Sequence, residues 1–290
     1  MWDAPHWLTM KINDYELYHD LLQRNSGLSL PPEKTYLLDS RLTPIARKWG
    51  YPTLEGMTLA LRGIPDNTLV SEVIEAMTAK DTSFFRDMTP FIALGERILP
   101  AIIKAKGRRR ELRIWCAGCS TGQEAYSVAM VLKDNEIKLK GWQVEIHATD
   151  LSAESLRKAR TGNYTQFEVQ RGLPISYLMK HFDELDDSWR LKDNVRNLVN
   201  FEQMNLLDSY DEVGGFDIIL CRNVLGQFEE RTRTKILSKL SEALNENGYL
   251  LLGLEEKPAP DFTALKPLDG TDGFYGRQDG KYDLPVPKVS

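Results

Sequence analysis

The predicted fold follows from one stretch of sequence, Leu112-Arg-Ile-Trp-Cys-Ala-Gly-Cys-Ser-Thr-Gly-Gln-Glu-Ala-Tyr126. An apolar run leads into a turn of small residues, and the turn leads into a helical pattern with an early glutamate, Glu124. Small residues let a ligand approach the backbone, and the first turn of a helix offers N–H groups without intrahelical partners. The order predicts a strand, a ligand-binding turn and a helix.

A second apolar run, Val144-Glu-Ile-His-Ala-Thr149, ends in the acid Asp150. An acid at the end of the second strand of such a unit suits hydrogen bonding to the hydroxyls of a ribose. The ligand-binding turn and Asp150 together therefore predict an adenosine-cofactor site on a Rossmann-like sheet.

Strand and helix patterns alternate from Leu112 onward, which predicts an α/β domain with a mostly parallel sheet. Strands are predicted at 112–117, 144–149, 198–202, 216–221 and 249–254, and helices at 123–133, 153–160 and 229–245. Residues 163–197 interrupt this rhythm and are predicted to be an insertion with a small β element. The expected domains are a helical bundle at 1–78, a linker and connecting helix at 79–111, and the cofactor-binding domain at 112–290.

Bulk composition narrows the functional classes. With 290 residues, 42% of them hydrophobic, the chain can bury one large core or two smaller ones. The net charge of −5 argues against general nucleic-acid binding, so an electrostatic partner must meet a local patch. No apolar run approaches the ~18 residues of a membrane span. The start of the chain, Met1-Trp-Asp-Ala-Pro-His6, lacks the basic and apolar regions of a secretory signal.

The chain has three cysteines, which cannot all pair, and a reduced, cytoplasmic setting is expected. Cys116 and Cys119 form a C-x-x-C, which is compatible with a redox pair or half a zinc site. A four-ligand zinc site needs two more ligands, and the sequence has neither a second C-x-x-C nor paired histidines. We therefore interpret them as small residues of the cofactor loop and predict no metal site.

The helical N-terminal region contains a possible docking surface. Pro31 and Pro32 suit the start of a helix, whose apolar stripe comprises Leu37, Leu38, Leu42, Ile45, Ala46 and Trp49. Lys34, Arg41 and Lys48 recur every seven residues, nearly two helical turns, and so share one side of that helix. They form either an ordinary solvated flank or a docking surface for an acidic helical partner.

Several motifs, in order and spacing, resemble the CheR-type methyltransferases of bacterial chemotaxis. The resemblance covers nearly the whole chain, as far as Gly253-Leu-Glu-Glu256. The motifs are Thr82-Ser-Phe-Phe-Arg-Asp87, Ser120-Thr-Gly-Gln-Glu-Ala-Tyr-Ser127, Ala148-Thr-Asp-Leu-Ser152, Gly162-Asn-Tyr164, Arg171-Gly-Leu-Pro174, Asn205-Leu-Leu207 and Phe216-Asp-Ile-Ile-Leu-Cys-Arg-Asn-Val-Leu225.

This resemblance implies transfer of a methyl group from S-adenosylmethionine to glutamates on the cytoplasmic helical domain of chemoreceptors. The products are glutamyl methyl esters and S-adenosylhomocysteine. Nucleic-acid binding and membrane insertion are not expected. The residues that the resemblance places around the cofactor are Thr82, Arg86, Glu124, Asp150, Asn205, Leu206, Arg222 and Asn223. A glutamate is ionised at neutral pH, so no general base is required. No catalytic residue is assigned, because the chain departs from the family pattern near the transferred methyl.

The chain also departs from the family pattern. Many relatives carry Asn in place of Lys80 and Glu in place of Asp81, and we expect the Lys80 side chain to point away from the sulfonium. Gly226-Gln227 stands where relatives commonly have Ile-Tyr, whose tyrosine the family places near the transferred methyl. One alternative is therefore a regulatory relative that binds S-adenosylmethionine or S-adenosylhomocysteine with weak or no catalysis.

Two further interpretations concern the partner. The short acidic segment Asp183-Glu-Leu-Asp-Asp-Ser-Trp-Arg190 lacks the glycine-containing loop of relatives that bind receptor tails, so no C-terminal receptor tether is expected. A methyltransferase acting on nucleic acid or a small molecule is the other alternative. Against it stand the overall acidity and Cys221-Arg-Asn-Val224, which differs from the Asp/Asn-Pro-Pro-Tyr/Phe of amino-methylating enzymes.

Overall fold

A computed structural model describes residues 12–210 and 214–285 of the chain. These residues fold into two compact units. The first contains the residues up to Ala79 together with Gln227–Thr232, and the second contains Lys80–Gly226 and the residues from Arg233 onward. The segment Met1–His6, where a secretory signal was not expected, lies outside the described residues.

The first unit is helical. Its helices are α1 (Ile12–Ser26), α2 (Tyr36–Lys48), α3 (Leu54–Arg62) and α4 (Asn67–Met77). Leu38, Leu42 and Ala46 are the buried residues of α2, at the helical spacing that the sequence showed. Local signals also set two helix starts, because the side chains of Thr53 and Asp66 accept backbone N–H groups of α3 and α4.

The prediction of one helix starting at the two prolines is wrong. Pro32–Lys34 form a separate 3₁₀ turn, and α2 begins only at Tyr36. The cause is local hydrogen bonding, since the N–H groups of Lys34 and Thr35 donate to carbonyls three residues earlier, those of Pro31 and Pro32. Lys34 is therefore not on the same helix as Arg41 and Lys48.

The second unit is built on a seven-stranded sheet. Its strands are β1 (Glu111–Ala117), β2 (Gln143–Asp150), β6 (Val199–Gln203), β7 (Phe216–Cys221), β8 (Leu244–Leu252), β9 (Leu265–Pro267) and β10 (Phe274–Arg277). Their order across the sheet is β6-β2-β1-β7-β8-β10-β9. Strands β6, β2, β1, β7 and β8 are parallel, and β9 and β10 pair antiparallel at the far edge. This confirms the predicted mostly parallel, Rossmann-like sheet.

Helices cover this sheet, and its central strands are buried. Every residue of β7 is buried, which explains the uninterrupted apolar run in its sequence. The helices of the unit include α5 (Thr89–Ala93), α6 (Leu99–Lys106), α7 (Gln123–Asp134), α8 (Ala153–Thr161) and most of α12 (Glu230–Ala243), with a π-helical turn at Leu94–Ile98. The last predicted helix is shorter than expected, because Leu244 already pairs with Phe216 at the start of β8.

The insertion contains the expected small β element. Strands β3 (Asn163–Thr165), β5 (Ser188–Leu191) and β4 (Phe182–Leu185) form an antiparallel sheet in that order. A two-residue turn, Asp186–Asp187, joins β4 to β5. The short helices α9 (Gln166–Gln170), α10 (Ile175–His181) and α11 (Asp193–Arg196) complete this region. Among the described residues, no helix is both long enough and apolar enough to cross a bilayer.

Candidate active site

The turn after β1 is the first part of the candidate site. Gly118 and Gly122 have φ angles of +79° and +92°, which favour glycine. A Cβ on Gly118 would also lie 2.5 Å from Cγ2 of Val224. The N–H groups of Gly118 and Cys119 donate to the carbonyl of Thr149 at 2.8 and 2.9 Å, which fixes the turn against the end of β2.

Asp150 is oriented by the backbone around it. Its Oδ2 accepts the N–H of Ser120 at 2.7 Å, and its Oδ1 accepts the N–H of Ser152 at 2.8 Å. The residue is buried at the carboxyl end of β2. A carboxylate can accept about four hydrogen bonds, so these two N–H groups orient Asp150 without exhausting its acceptor capacity.

Arg222, directly after β7, is the centre of a buried charge cluster. Its side chain is 1% exposed and lies between two carboxylates, with Nη1 2.9 Å from Glu124 Oε2 and Nη2 2.8 Å from Asp87 Oδ2. Nη2 also donates to the carbonyl of Arg86 at 2.9 Å. Its Nε is buried and has no partner among the described residues. The guanidinium thus joins three segments that are far apart in sequence.

Burial sets the protonation behaviour of Glu124. Loss of solvent raises the pKa of this carboxyl, and the charge and hydrogen bond of Arg222 oppose the rise. The helix α7 begins one residue earlier, at Gln123, so Glu124 also lies in a first helical turn, where an acid is favourable. The ion pair with Arg222 and the helix position both favour a carboxylate at this place.

The segment that precedes α5 supplies Thr82, Arg86 and Asp87. Phe85, Asp87 and Met88 all have positive φ angles, of 46°, 64° and 27°. Three non-glycine residues in this region so close together indicate backbone strain that surrounding contacts must maintain. Arg86 is half-buried, and its Nη1 lies 3.8 Å from Asp81.

Phe84 and Phe85 supply those contacts. Phe84 packs edge-on against Tyr164 and Phe182, at centroid distances of 4.9 and 5.6 Å. The N–H of Phe85 donates to Ser127 Oγ on α7 at 2.9 Å. These contacts all lie within the second unit.

Asn205 and Leu206 follow β6. The N–H of Met204 donates to the carbonyl of Asp150 at 3.0 Å, which joins this segment to the end of β2. Asn205 Oδ1 accepts the N–H of Leu207 at 3.0 Å, a local turn that leaves Leu206 buried.

Glu256, which follows β8, also contributes to the candidate site, although the sequence motifs did not identify it as a site residue. Its carboxylate accepts the backbone N–H groups of Asn223, Gly253 and Gly226 at 2.7, 3.0 and 3.2 Å. Asn223 has a φ of +59°, a conformation that costs energy for a non-glycine residue. Glu256 therefore connects the segment after β7 to the segment after β8. In the sequence, Glu256 stood out only as the last residue of the region that resembles the family, which ends with Gly253–Glu256.

The eight predicted cofactor-binding residues all belong to the second unit, at or near the carboxyl ends of its central strands or in the segment before α5. The strand order reverses between β1 and β7, and ligands of such sheets bind at that reversal. Lys80 Nζ pairs with Glu154 of α8 at 2.6 Å, so this ammonium already has a carboxylate partner.

Lys34, Arg41 and Lys48 belong to the first unit and have different surroundings. Lys34 is exposed. Arg41 Nη1 donates to the carbonyl of Met77, at the end of α4, at 2.9 Å. Lys48 Nζ lies 2.7 Å from Glu72 Oε1 and keeps 64% of its side chain exposed. The three side chains therefore do not form a row of exposed, unpaired cations.

All three cysteines are free and buried. Burial raises the pKa of each thiol well above its ordinary value, so each stays protonated and unreactive at neutral pH. Within residues 12–210 and 214–285, no group of three potential ligands could hold a metal ion. The arrangement supports a structural interpretation of Cys116 and Cys119 in the turn.

A comparison with protein families decides the assignment. Residues 80–271 match the family described as CheR methyltransferase, SAM binding domain. The chain belongs to the CheR methyltransferase family. It is an S-adenosylmethionine-dependent methyltransferase, which confirms the fold, the cofactor and the enzyme class that the motifs implied.

Relatives of this CheR family member are similar to it in sequence along most of its length. Chemotaxis protein methyltransferase 1 of Pseudomonas aeruginosa is 39% identical over 84% of this chain and 89% of its own. The chemotaxis protein methyltransferase of Vibrio parahaemolyticus is 36% identical over 86% and 90%. Chemotaxis protein methyltransferase 2 of Vibrio cholerae is 30% identical over 93% and 95%. The match therefore includes both units and supports methylation in chemotaxis.

Proposed function

We propose that this CheR family member transfers the methyl group of S-adenosylmethionine to glutamates on the cytoplasmic helical domain of chemoreceptors. The products would be glutamyl methyl esters and S-adenosylhomocysteine. The observation that carries the proposal is the convergence of Asp150, Glu124 and Arg222 at the strand-order reversal, in a chain whose relatives are chemotaxis methyltransferases. The three free thiols support action in a reducing compartment, the cytoplasm.

The residues present fit an adenosine cofactor. Asp150, with its orientation fixed by two N–H groups, would accept the ribose hydroxyls. Glu124 would accept from the amino group of the methionine part or from the ribose. Arg222 retains a buried Nε–H without a partner among the described residues, and a ligand carboxylate would satisfy it.

Five further residues complete the proposed set of eight, and they lie in the segments before α5, after β6 and after β7. Asn205 and Leu206 would contact the edge and face of the adenine. Thr82 and Arg86 would act from the segment before α5, where Arg86 could pair with a carboxylate of the cofactor or of the substrate. Asn223 would act from the segment that Glu256 holds.

The chemistry requires positioning more than proton transfer. When bound, S-adenosylmethionine supplies a methyl carbon activated by its positive sulfur. An acceptor glutamate, with an ordinary pKa of about 4.3, is already ionised at neutral pH, so the protein needs no general base. Its residues would bind and orient the reactants and exclude water.

Receptor docking would involve the first unit. Lys34 and Lys48 are exposed, and with Arg41 they would meet acidic side chains of the acceptor helix. Arg41 already holds the end of α4, so Lys34 and Lys48 would contribute more to docking. Substituting Lys34 by Met should raise the KM for receptor without changing kcat, because its side chain has no partner among the described residues.

We further propose that the protein uses no C-terminal receptor tether. The support is the compact hairpin of β4 and β5, whose two-residue turn Asp186–Asp187 leaves no extended glycine-containing loop. In calorimetry, a receptor-tail peptide should show no heat of binding. A micromolar affinity for that peptide would contradict the proposal.

The main test is transfer of a tritiated methyl group to membranes that contain candidate receptors, followed by mild base. Methyl esters release volatile methanol, whereas methylated amines and ethers do not. Asp150→Asn should abolish the transfer and weaken S-adenosylhomocysteine binding, and Asp187→Asn in the exposed hairpin should leave both unchanged. Base-stable label, or label transferred to RNA, DNA or a small molecule instead, would refute the receptor proposal.

One observation favours a second candidate, a cofactor-binding regulator with weak or no catalysis. Gln227 replaces the tyrosine of relatives, and its Oε1 accepts the N–H of Ala79 at 3.0 Å within the first unit. That amide oxygen is therefore already engaged. Under this candidate, S-adenosylhomocysteine binds normally, native transfer is barely detectable, and Gln227→Tyr raises it sharply. Robust transfer by the native protein would exclude this candidate.

A further inference from the structure

A cluster of cations lies at the amino end of β1 and β2. We define the basic edge as Arg108, Arg109, Arg110, Lys138 and Lys140, all of them exposed. The arginines connect α6 to β1, and the lysines lie in the segment between α7 and β2. This concentration is unusual for a chain whose net charge is −5.

No carboxylate among the described residues lies within ion-pair distance of any of these five cations. Neighbouring lysines behave differently, since Lys104 pairs with Asp283 at 2.6 Å and Lys106 with Asp217 at 2.8 Å. Lys138 Nζ has a neutral partner, Asn135 Oδ1, at 2.8 Å. None of the five cations is therefore neutralised in an ion pair with a described residue, although Arg109 lines a cavity that also contains Asp217 and Glu246.

The two segments of the basic edge form one surface. Strands β1 and β2 pair from their first residues, Glu111 with Gln143, and the N–H of Gln143 donates to the carbonyl of Arg110 at 2.8 Å. A Cβ on Gly141 would lie 3.2 Å from Nη1 of Arg110, so the arginine side chain reaches the lysine segment.

An apolar side chain projects next to these cations. Ile137 is 88% exposed and directly precedes Lys138. A large aliphatic group on a cationic surface is typical of contact with an anionic bilayer, where the charges meet headgroups and the apolar group enters the boundary region. Residues 108–110 and 137–141 include no aromatic ring on which a nucleobase could stack, and Trp142, which follows them, is partly buried against the core.

We propose that the basic edge docks this protein on an anionic lipid surface, with Ile137 entering the headgroup region. Residues 111–117 of β1 separate Arg110 from the turn at Gly118, a distance of roughly 23 Å at ~3.3 Å per residue. Docking through the basic edge therefore leaves the candidate active site, at the other end of the same strands, accessible. The proposal does not depend on the identity of the methyl acceptor.

The experiment is co-sedimentation of the full chain with phosphatidylcholine vesicles, with and without about one third phosphatidylglycerol. Binding should require the anionic lipid and should weaken severalfold between about 0.1 M and about 0.5 M NaCl. Each basic residue near such a surface contributes about fivefold in affinity, so Arg108→Gln, Arg109→Gln and Arg110→Gln together should lower the partition coefficient about 100-fold.

Two further variants test the geometry. Lys138→Gln with Lys140→Gln should lower the partition coefficient about 25-fold, and Ile137→Ser should lower it severalfold in the presence of anionic lipid. The matched control combines Arg24→Gln, Arg157→Gln and Lys235→Gln, three exposed cations elsewhere on the chain, and should retain binding. The affinity for S-adenosylhomocysteine should stay unchanged in all variants, which shows that they are folded.

Three results would overturn the proposal. The first is equal binding to neutral and anionic vesicles, or binding to neither. The second is a loss in the control variant as large as that in the triple arginine variant, because net charge and not the basic edge would then decide binding. The third is tighter binding to duplex DNA or RNA than to anionic vesicles at equal phosphate concentration.

Discussion

Two ion pairs of this protein have nearly the same length and very different surroundings. Arg222 and Glu124 lie 2.9 Å apart in the second unit, and Lys48 and Glu72 lie 2.7 Å apart in the first. The Arg222 side chain is almost fully buried, whereas most of Lys48 is in water. Removing one partner of a buried pair leaves a charge without solvent or counter-ion, but removing one partner of an exposed pair leaves a hydrated charge. Burial, not distance, therefore decides what each pair contributes.

The largest expected effect is that of Arg222→Met. The substitution leaves Glu124 and Asp87 without their common cation, which should lower the free energy of unfolding by about 3–5 kcal/mol. Urea denaturation at neutral pH measures this loss. Adding Glu124→Gln to the variant should restore part of it, because one of the two uncompensated carboxylates is then neutral. Arg157→Met, on the exposed side of α8, is the control, and a loss in Arg222→Met no larger than in this control would contradict the comparison.

Glu256→Gln should have the next largest effect. An amide has one oxygen in place of two, so the N–H groups of Asn223, Gly253 and Gly226 can no longer all be satisfied. We expect S-adenosylhomocysteine affinity to fall about tenfold, which is ~1.4 kcal/mol, with far-UV circular dichroism unchanged. The neighbouring exposed Glu255→Gln is the matched control. Equal affinities in the two variants would remove the positioning role of Glu256.

Arg41→Met should have a smaller, purely structural effect in the first unit. The guanidinium donates to carbonyls at the end of α4, where a cation also complements the helix dipole. Its loss should cost about 1 kcal/mol in the free energy of unfolding. Lys34→Met, which removes a charge without such contacts, should change stability by less than about 0.5 kcal/mol. Comparable losses in both would mean that Arg41 does not hold α4.

The smallest expected effect depends on pH. The hydrogen bond from Lys48 lowers the pKa of Glu72, although burial opposes this. A lowered folded-state pKa contributes stability above the pKa of the unfolded chain, and that contribution disappears as the pH falls through the folded-state value. Lys48→Met should therefore cost about 0.5 kcal/mol at neutral pH and almost nothing in acid. A cost that grew on acidification would have the wrong sign.

Local sequence predicted the elements that carry the candidate site. The apolar runs of β1, β2 and β7 and the small residues at Gly118–Gly122 have strong local signals, because burial on both faces and positive φ angles restrict residue choice. Strands β9 and β10 went unpredicted, since each is short and exists only through its pairing in the sheet. The start of α2 was wrong because the competing 3₁₀ hydrogen bonds at Pro32–Lys34 differ little in energy from helical ones.

The sequence by itself determined the alternation of strands and helices, the ligand-binding turn and the acids Glu124 and Asp150 that follow two strands. These features depend on periodicity and on backbone conformation within a few residues. Only the tertiary structure decided that Arg222 is buried between Glu124 and Asp87, that Glu256 holds Asn223, and that the cations of the basic edge share one surface. Each of these contacts joins residues distant in the chain, and the folded sheet brings them together.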